Sequence, residues 1–286
     1  MPAAPFHLAM PSVRSTSVIF ASPHSGRDYP ASFLAQSGLD RLAIRSSEDA
    51  FVDRLFDMAP ELGAPLLAAR VPRAYVDLNR AADELDPAVI DGVARNAHNP
   101  RISSGLGVIP RVVAGGRQIY AGKLPLHEAE TRIRTCWHPY HTALRALLEQ
   151  TRQDYGEVVL IDCHSMPHEA IEAHARPGQP RPEVVLGDRF GTAADRAVMD
   201  RVEAAFAAAG LRVARNAPFA GAYIAQAYGR PSRNCHVVQI EIDRALYMDE
   251  ARVAPLPGFA AFRRLMSGVV ADICGGQRRD LPLAAE

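Results

Sequence analysis

The feature that most restricts the fold of this chain is a series of short, strongly apolar segments separated by stretches with a helical pattern. Segments of strand length occur at 17–21, 65–71, 74–78, 157–163, 183–187, 211–215 and 236–242. Several are apolar at nearly every position, which is typical of strands covered on both faces. Their alternation with helices predicts an α/β fold: a mixed, mostly parallel twisted sheet flanked by helices, in a single domain over 1–286 with its core at about 15–275.

The intervening segments have the spacing of amphipathic helices. The predicted helices are 47–58, 125–154, 193–209 and 258–274. Pro139 is expected to kink or break the second of them. Around Gly115-Gly116 we expect a hairpin, and the proline- and histidine-rich stretch 166–182 is expected to be a loop that covers a site.

Composition excludes several functions. The 32 basic and 32 acidic residues among 286 leave no basic surplus for nucleic acid or an anionic membrane. No apolar run reaches the roughly 18 residues of a membrane span, and the first residues lack the pattern of a secretory signal. The four cysteines have no C-x-x-C spacing. We therefore expect a soluble, cytoplasmic protein; its oligomeric state is left open.

Two histidines follow predicted strands in the same local context. His24 comes after the strand at 17–21, His164 comes at the end of the strand at 157–163, and a serine follows each. Strand ends of a parallel sheet meet in one crevice, so the two imidazoles can converge on a metal ion. A single histidine at such a position is more often structural, and the repeated pattern moves the odds modestly toward a metal site.

A third metal ligand is less clear from the residues alone. Glu48 and Asp49 are candidates, but acidic residues in a first helical turn are also explained by the helix dipole, which is the preferred explanation at this point. Asp77 and Asp162 are suitable carboxylates to orient metal-binding histidines.

Glu241 lies in the middle of an apolar strand, where an unpaired carboxylate is costly to bury. It is either paired with an arginine or retained for proton transfer beside a metal-bound water, and the strand alone does not separate these possibilities. Arg73, Asn79 and Arg80 lie in another predicted strand segment that ends in polar groups. Arg80 can clamp a substrate carboxylate, although a single arginine is more often a surface residue.

Together, these motifs resemble the N-formylglutamate amidohydrolase (N-formylglutamate deformylase) family. The resemblance follows the order of the chain from about Ser22 to Glu250 and rests on PHSG, SEDAFVDRLFD, YVDLNR, GLGVIPR, W-x-P-Y-H, DCHSMP, Y-G-x-P and QIEIDRALYMDE. The family is similar in fold to zinc carboxypeptidases and aspartoacylases. The resemblance implies one zinc ion (or another divalent metal) held by His24, His164 and Asp49, with Glu48 as the alternative acidic ligand.

The resemblance also implies an enzymatic role. Glu241 becomes the general base, and Asn79 with Arg80, assisted by Arg73, receives a substrate carboxylate. The implied reaction is hydrolysis of an N-acylated acidic amino acid, by default N-formyl-L-glutamate, in amino-acid catabolism such as histidine degradation. Alternatives are a deacylase for an acetyl or succinyl group and a metal-free binding protein of the same fold.

Overall fold

The structure is a computed structural model that describes residues 4–94, 99–172 and 181–275. Within these ranges the strands are β1 (Phe6–Ala9), β2 (Val18–Ser22), β3 (Leu66–Ala69), β4 (Ile90–Asp91), β5 (Val112–Val113), β6 (Arg117–Gln118), β7 (Leu124–Pro125), β8 (Val158–Met166), β9 (Val184–Gly187), β10 (Val213–Arg215), β11 (Cys235–Asp243), β12 (Met248–Asp249) and β13 (Ala254–Pro255). The helices are α1 (Ala31–Gln36), α2 (Val52–Leu55), α3 (Pro100–Ser103), α4 (Leu126–Arg132), α5 (His138–Tyr155), α6 (His168–Glu172), α7 (Arg196–Ala208), α8 (Tyr223–Tyr228) and α9 (Phe259–Ile273).

The central sheet of the described chain has seven strands in the order β1-β3-β2-β8-β11-β9-β10. The four consecutive strands β3, β2, β8 and β11 run parallel to one another. Strand β1 is antiparallel to β3, and β9, which is parallel to β10, is antiparallel to β11. The predicted α/β fold with a mixed, mostly parallel sheet is therefore confirmed.

The sheet has an apolar core on each face, and strand β2 shows how the chain serves both. Val18 and Phe20 pack into the cluster that includes α2, α7 and α9, whereas Ile19 and Ala21 pack into the cluster that includes α4 and α5. All four side chains are almost completely buried. A strand covered on both faces gains from apolar residues at successive positions, which explains the continuous apolar runs of the sequence.

The prediction of a strand at 74–78 was wrong. The carbonyl of Pro72 accepts hydrogen bonds from the backbone N–H groups of Tyr75 and Val76, so the chain turns there instead of extending. Val76 and Leu78 are nevertheless fully buried in the second core. Their apolar character reflects this burial and does not require a neighbouring strand.

Two helix predictions also change. The predicted helix 47–58 is reduced to α2, and its N-cap is Phe51 in a left-handed conformation. In the segment 125–154, a π-helical turn at Ile133–Trp137 joins α4 and α5. Pro139 lies just past this π-helical turn, so the irregularity expected in this helix is found beside the proline.

The predicted hairpin is present: β5 and β6 pair antiparallel on either side of Gly115 and Gly116. Part of the segment 166–182 forms α6, while 173–180 lie outside the described residues, so its role as a cover for the site stays a prediction. None of the helices in the described ranges combines the length and hydropathy needed to cross a bilayer.

Candidate active site

A cavity of about 560 Å³ opens where the parallel strands end. Strand β8 places His164 directly beside Glu241 of β11 in the register of the sheet. The chain leaves β2 at Ser22, and His24 follows in the next turn. On this face of β8 and β11 the side chains are apolar in the first half of each strand and polar from Asp162 and Gln239 onward. This is the usual place for a site in an open α/β sheet.

Gly26, two residues after His24, allows this turn to pack closely against the chain that leaves β3. A Cβ atom on Gly26 would collide with the backbone carbonyl oxygen of Val71, which belongs to the chain leaving β3. The backbone N–H of Asp49 donates to the carbonyl of His24 at 3.0 Å. The PHSG turn is therefore held between two neighbouring segments, and this fixes the position of the histidine.

His24, Asp49 and His164 form a buried cluster whose ligand atoms all lie within 4.8 Å of one another. The two imidazole rings have their centroids 4.7 Å apart. Asp49 Oδ2 is 2.9 Å from His164 Nδ1 and 3.5 Å from His24 Nδ1. The two histidines predicted to converge do so.

The opposite nitrogen of each imidazole faces another carboxylate. His24 Nε2 lies 2.7 Å from Asp77 Oδ1, and His164 Nε2 lies 3.1 Å from Asp162 Oδ1. Carboxylates in these positions fix the ring orientation and the tautomer of metal-binding histidines. His24 Nδ1 is buried and has no hydrogen-bond partner among the described residues. This unpartnered nitrogen, directed at Asp49, fits a site for one divalent metal ion.

Asp49, not Glu48, belongs to this cluster. The carboxylate of Glu48 accepts hydrogen bonds from the Tyr29 hydroxyl at 2.9 Å and from the guanidinium of Arg45 at 2.9 and 3.0 Å. Glu48 is therefore engaged by Tyr29 and Arg45 and takes no part in the histidine cluster. The choice between the two acidic residues is thus made by the turn that precedes α2, which directs successive side chains to opposite sides.

Arg244 holds the other oxygen of Asp49 and was missed in the sequence. Its Nη2 donates to Asp49 Oδ1 at 3.0 Å, and its Nε donates to the Ser165 hydroxyl at 3.2 Å. The arginine directly follows β11, so its place just past a strand end was the available signal. With Oδ1 occupied by Arg244, Oδ2 is the oxygen left to face the histidines.

Glu241 is buried beside the cluster and forms no ion pair with an arginine among the described residues. Gln239 Nε2 donates to Glu241 Oε1 at 2.8 Å, and Gln239 Oε1 accepts from the backbone N–H of Ala222. Burial, acting against the opposing charge of His164, raises the pKa of Glu241 to about 7. A carboxyl group with such a pKa can both take up and release a proton near neutral pH.

The two arginines predicted to bind substrate, Arg73 and Arg80, differ from each other in their hydrogen-bond partners. Arg73 Nε donates to Asp77 Oδ2 at 3.0 Å, which places it in an ion pair at the cavity wall. Arg80 donates only to backbone carbonyls, those of Leu106 and Asn79, both at 2.8 Å. Within the described residues no carboxylate pairs with Arg80. Its charge is therefore available to an anion in the cavity.

Asn79 is engaged by the protein itself. Its Nδ2 donates to Asp162 Oδ2 at 3.0 Å, and its Oδ1 accepts from the backbone N–H of Ile224 at 2.7 Å. The side chain also lies 3.0 Å from His164 Nε2. These contacts favour a role in holding His164 and α8 in place over the predicted role as a donor to substrate.

Cys163 and Ser165, which flank His164 in the DCHSMP motif, are not placed for nucleophilic attack. Cys163 lies in the apolar cluster on the opposite face of the sheet, where burial raises the pKa of its thiol well above the usual value. The Ser165 hydroxyl accepts from Arg244, and no imidazole lies next to it as a base. Among the described residues, the centre of the site is the histidine and carboxylate cluster.

Comparison with known proteins identifies similar sequences and structures. A model of the N-formylglutamate amidohydrolase family matches residues 16–248. The N-formylglutamate deformylase of Pseudomonas aeruginosa is 33% identical over 239 residues, and that of Pseudomonas putida is 30% identical over 238 residues; each match covers 82% of both chains. The crystal structure of N-formylglutamate amidohydrolase from Ralstonia eutropha JMP134 has a TM-score of 0.89 at 36% identity, covering 96% of this chain and 98% of that one.

Proposed function

The chain belongs to the N-formylglutamate amidohydrolase family, and from this premise we propose that it is a zinc-dependent enzyme that hydrolyses N-formyl-L-glutamate to formate and L-glutamate. One observation carries the proposal beyond family membership. The buried His24, Asp49 and His164 cluster leaves a nitrogen without a partner, next to a glutamate with a pKa of about 7. That combination suits hydrolysis better than binding alone.

Two imidazoles and one carboxylate are a common ligand set of catalytic zinc, which keeps a further position open for water or substrate. In this chain the set comprises His24, His164 and Asp49. When bound, zinc supplies a Lewis acid that polarises an acyl carbonyl and lowers the pKa of a water ligand to about 7.

Glu241 is the general base and acid in this proposal. Its carboxylate takes a proton from the attacking water and returns one to the amine nitrogen as the amide C–N bond breaks. The burial that raises its pKa to about 7 makes both transfers accessible. The hydrogen bond from Gln239 restrains the orientation of this carboxylate.

Arg80 receives the α-carboxylate of the substrate. It lines the cavity, and its contacts within the described chain are with backbone carbonyls, so its guanidinium gains a charge-assisted hydrogen bond only when an anion enters. Anchoring the carboxylate fixes the amide relative to Glu241, and positioning of this kind lowers the barrier by several kcal/mol. Arg73, paired with Asp77, borders the same space and orients His24 through that carboxylate.

The test is release of L-glutamate by purified protein from N-formyl-, N-acetyl- and N-succinyl-L-glutamate, with formate as the second product of the first, before and after chelation and with added zinc to restore activity. We expect the formyl substrate to be preferred, activity to be lost with chelator, and zinc to restore it. Preference for the acetyl or succinyl substrate would assign a different acyl group. Undiminished activity in metal-free protein, or none with any substrate, would overturn the proposal.

A further inference from the structure

The cavity contains more positive charge than its own carboxylates neutralise. Four arginines line it: Arg73, Arg80, Arg101 and Arg244. The first is paired with Asp77 and the last with Asp49. The other two have no carboxylate partner among the described residues.

Arg101 is the arginine to which neither the sequence nor the proposed mechanism gives a role. It lies in α3, where its backbone N–H donates to the side chain of the N-cap Asn99 at 2.9 Å. Its guanidinium makes no hydrogen bond or ion pair with another side chain in the part of the chain described. The side chain is half-buried at the cavity wall. A half-buried cation without a partner at a cavity wall is available to a ligand.

Arg101 and Arg80 are connected through one residue. The backbone N–H of Leu106 donates to the carbonyl of Arg101 at 2.8 Å, and the carbonyl of Leu106 accepts from Arg80 Nε at 2.8 Å. The two arginines therefore belong to one rigid local arrangement. Burial lowers the pKa of Arg80; the carboxylate of Asp77 opposes this shift, and the like charges of Arg73 and Arg101 add to it.

Two neighbouring cations without counter-ions are unfavourable in a partly desolvated cavity unless anions enter with the ligand. A monocarboxylate neutralises one of them. An N-acyl derivative of an acidic amino acid brings two carboxylates, one on the α-carbon and one on the side chain. The two cavity arginines without an ion pair among the described residues thus match in number the two carboxylates of such a ligand.

We propose that Arg101 binds the side-chain carboxylate of the substrate while Arg80 binds the α-carboxylate, so that Arg101 is the residue that selects acidic over neutral N-acyl amino acids. The inference rests on the proposed function, since it assigns the substrate class of the same site. An arginine suits this task because its planar guanidinium pairs with a carboxylate through two parallel hydrogen bonds.

The kinetic experiment compares N-formyl-L-glutamate with its neutral analogue N-formyl-L-glutamine in the wild type and in Arg101→Gln. Arg134→Gln is the matched control, because Arg134 is exposed, does not line the cavity and loses the same charge. In Arg101→Gln we expect kcat/KM for the glutamate substrate to fall about 10- to 100-fold, chiefly through KM, as removal of one charged hydrogen bond predicts. The value for the glutamine substrate and both values in Arg134→Gln should stay within about 2-fold.

Binding measured by calorimetry separates this inference from the proposed function. Glutarate carries both carboxylates without a scissile amide, and butyrate carries one. We expect the wild type to bind glutarate more tightly than butyrate, and Arg101→Gln to bind both with similar weak affinity, whether or not the protein releases formate. Equal glutarate affinity in wild type and Arg101→Gln, or an unchanged glutamate-to-glutamine ratio in kinetics, overturns the role of Arg101 even if formate release establishes the function.

Discussion

Glu241 illustrates how the surroundings of one residue determine its chemistry. The strand pattern left two explanations for a carboxylate among apolar neighbours: an arginine partner or proton transfer. In the structure its hydrogen-bond partner is the neutral amide of Gln239, and burial raises its pKa to about 7. A neutral partner leaves the cost of desolvation largely uncompensated, and a raised pKa is the direct consequence. These surroundings support the second explanation.

Glu241→Gln is expected to retain the fold and the metal but lose turnover. The amide has the same shape but cannot accept a proton, so kcat should fall by about 10²- to 10⁴-fold. The measurements are formate release, bound zinc by mass spectrometry and the thermal unfolding midpoint. Glu149→Gln, an exposed change on α5, is the matched control. Turnover in Glu241→Gln within a few-fold of the wild type would remove Glu241 from the role of base.

The first turns of α5 explain the W-x-P-Y-H motif. Trp137 Nε1 donates to the carbonyl of Arg80 at 2.9 Å, and His141 Nε2 donates to the carbonyl of Leu78 at 2.9 Å. The Trp137 and His141 rings lie 3.9 Å apart. The helix therefore holds the backbone on both sides of Asn79 and so supports the wall of the cavity. The Leu78 carbonyl can only accept, so the His141 imidazole carries its proton on Nε2.

His141 predicts a pH dependence of stability. Burial lowers the pKa of His141 to about 4 from its usual value of 6.5. The unfolded chain therefore binds a proton as pH falls below about 6.5, whereas the folded protein does not until about pH 4, so stability is lost over this window as pH falls. For this shift the loss at pH 5 is about 2 kcal/mol relative to pH 7.

The check is urea unfolding of wild type and His141→Gln at pH 7 and pH 5. Glutamine does not titrate, so the variant should be less stable than wild type at pH 7, and the difference should shrink by about 2 kcal/mol at pH 5. Because the other titrating groups are shared, subtraction isolates His141. A difference independent of pH would show that His141 is protonated in the folded protein or neutral in both states.

The fold of the whole molecule brings the proposed metal site together from three separate parts of the chain. His24 follows β2, Asp49 precedes α2 and His164 lies in β8, and the two apolar cores fix these elements relative to one another. A ligand that binds only when all three are in place stabilises the folded state through linkage. Metal binding and folding should therefore be coupled.

Chelation is expected to lower the thermal unfolding midpoint of the wild type by about 5–10 °C, as loss of a few kcal/mol of binding energy predicts for a chain of this size. Added zinc should restore the midpoint. His24→Ala is the control, because it lacks one ligand and its midpoint should not respond to chelator. Differential scanning calorimetry provides the measurement, and a wild-type midpoint insensitive to both chelator and zinc would contradict the proposed metal site.

Sequence patterns alone were enough to predict the sheet and the convergence of His24 and His164, whereas the role of Glu241 beside them came only from the family resemblance. Continuous apolar runs identify buried strands, and residues just after such strands share one edge of a parallel sheet. The same patterns failed at 74–78, where burial in a turn produces the apolar character of a strand. Local periodicity reports burial, and it cannot distinguish which backbone conformation achieves it.

The remaining features depend on contacts between distant parts of the chain. That Asp49 faces the histidines while Glu48 pairs with Arg45 follows from one turn, and that Arg244 holds Asp49 follows from the neighbouring end of β11. The availability of Arg101 likewise depends on which carboxylates lie near it. Strand and helix periodicities depend on residues close together in the chain and can therefore be recognised in the sequence. The partner of a charged side chain depends on three-dimensional packing, which only the folded chain defines.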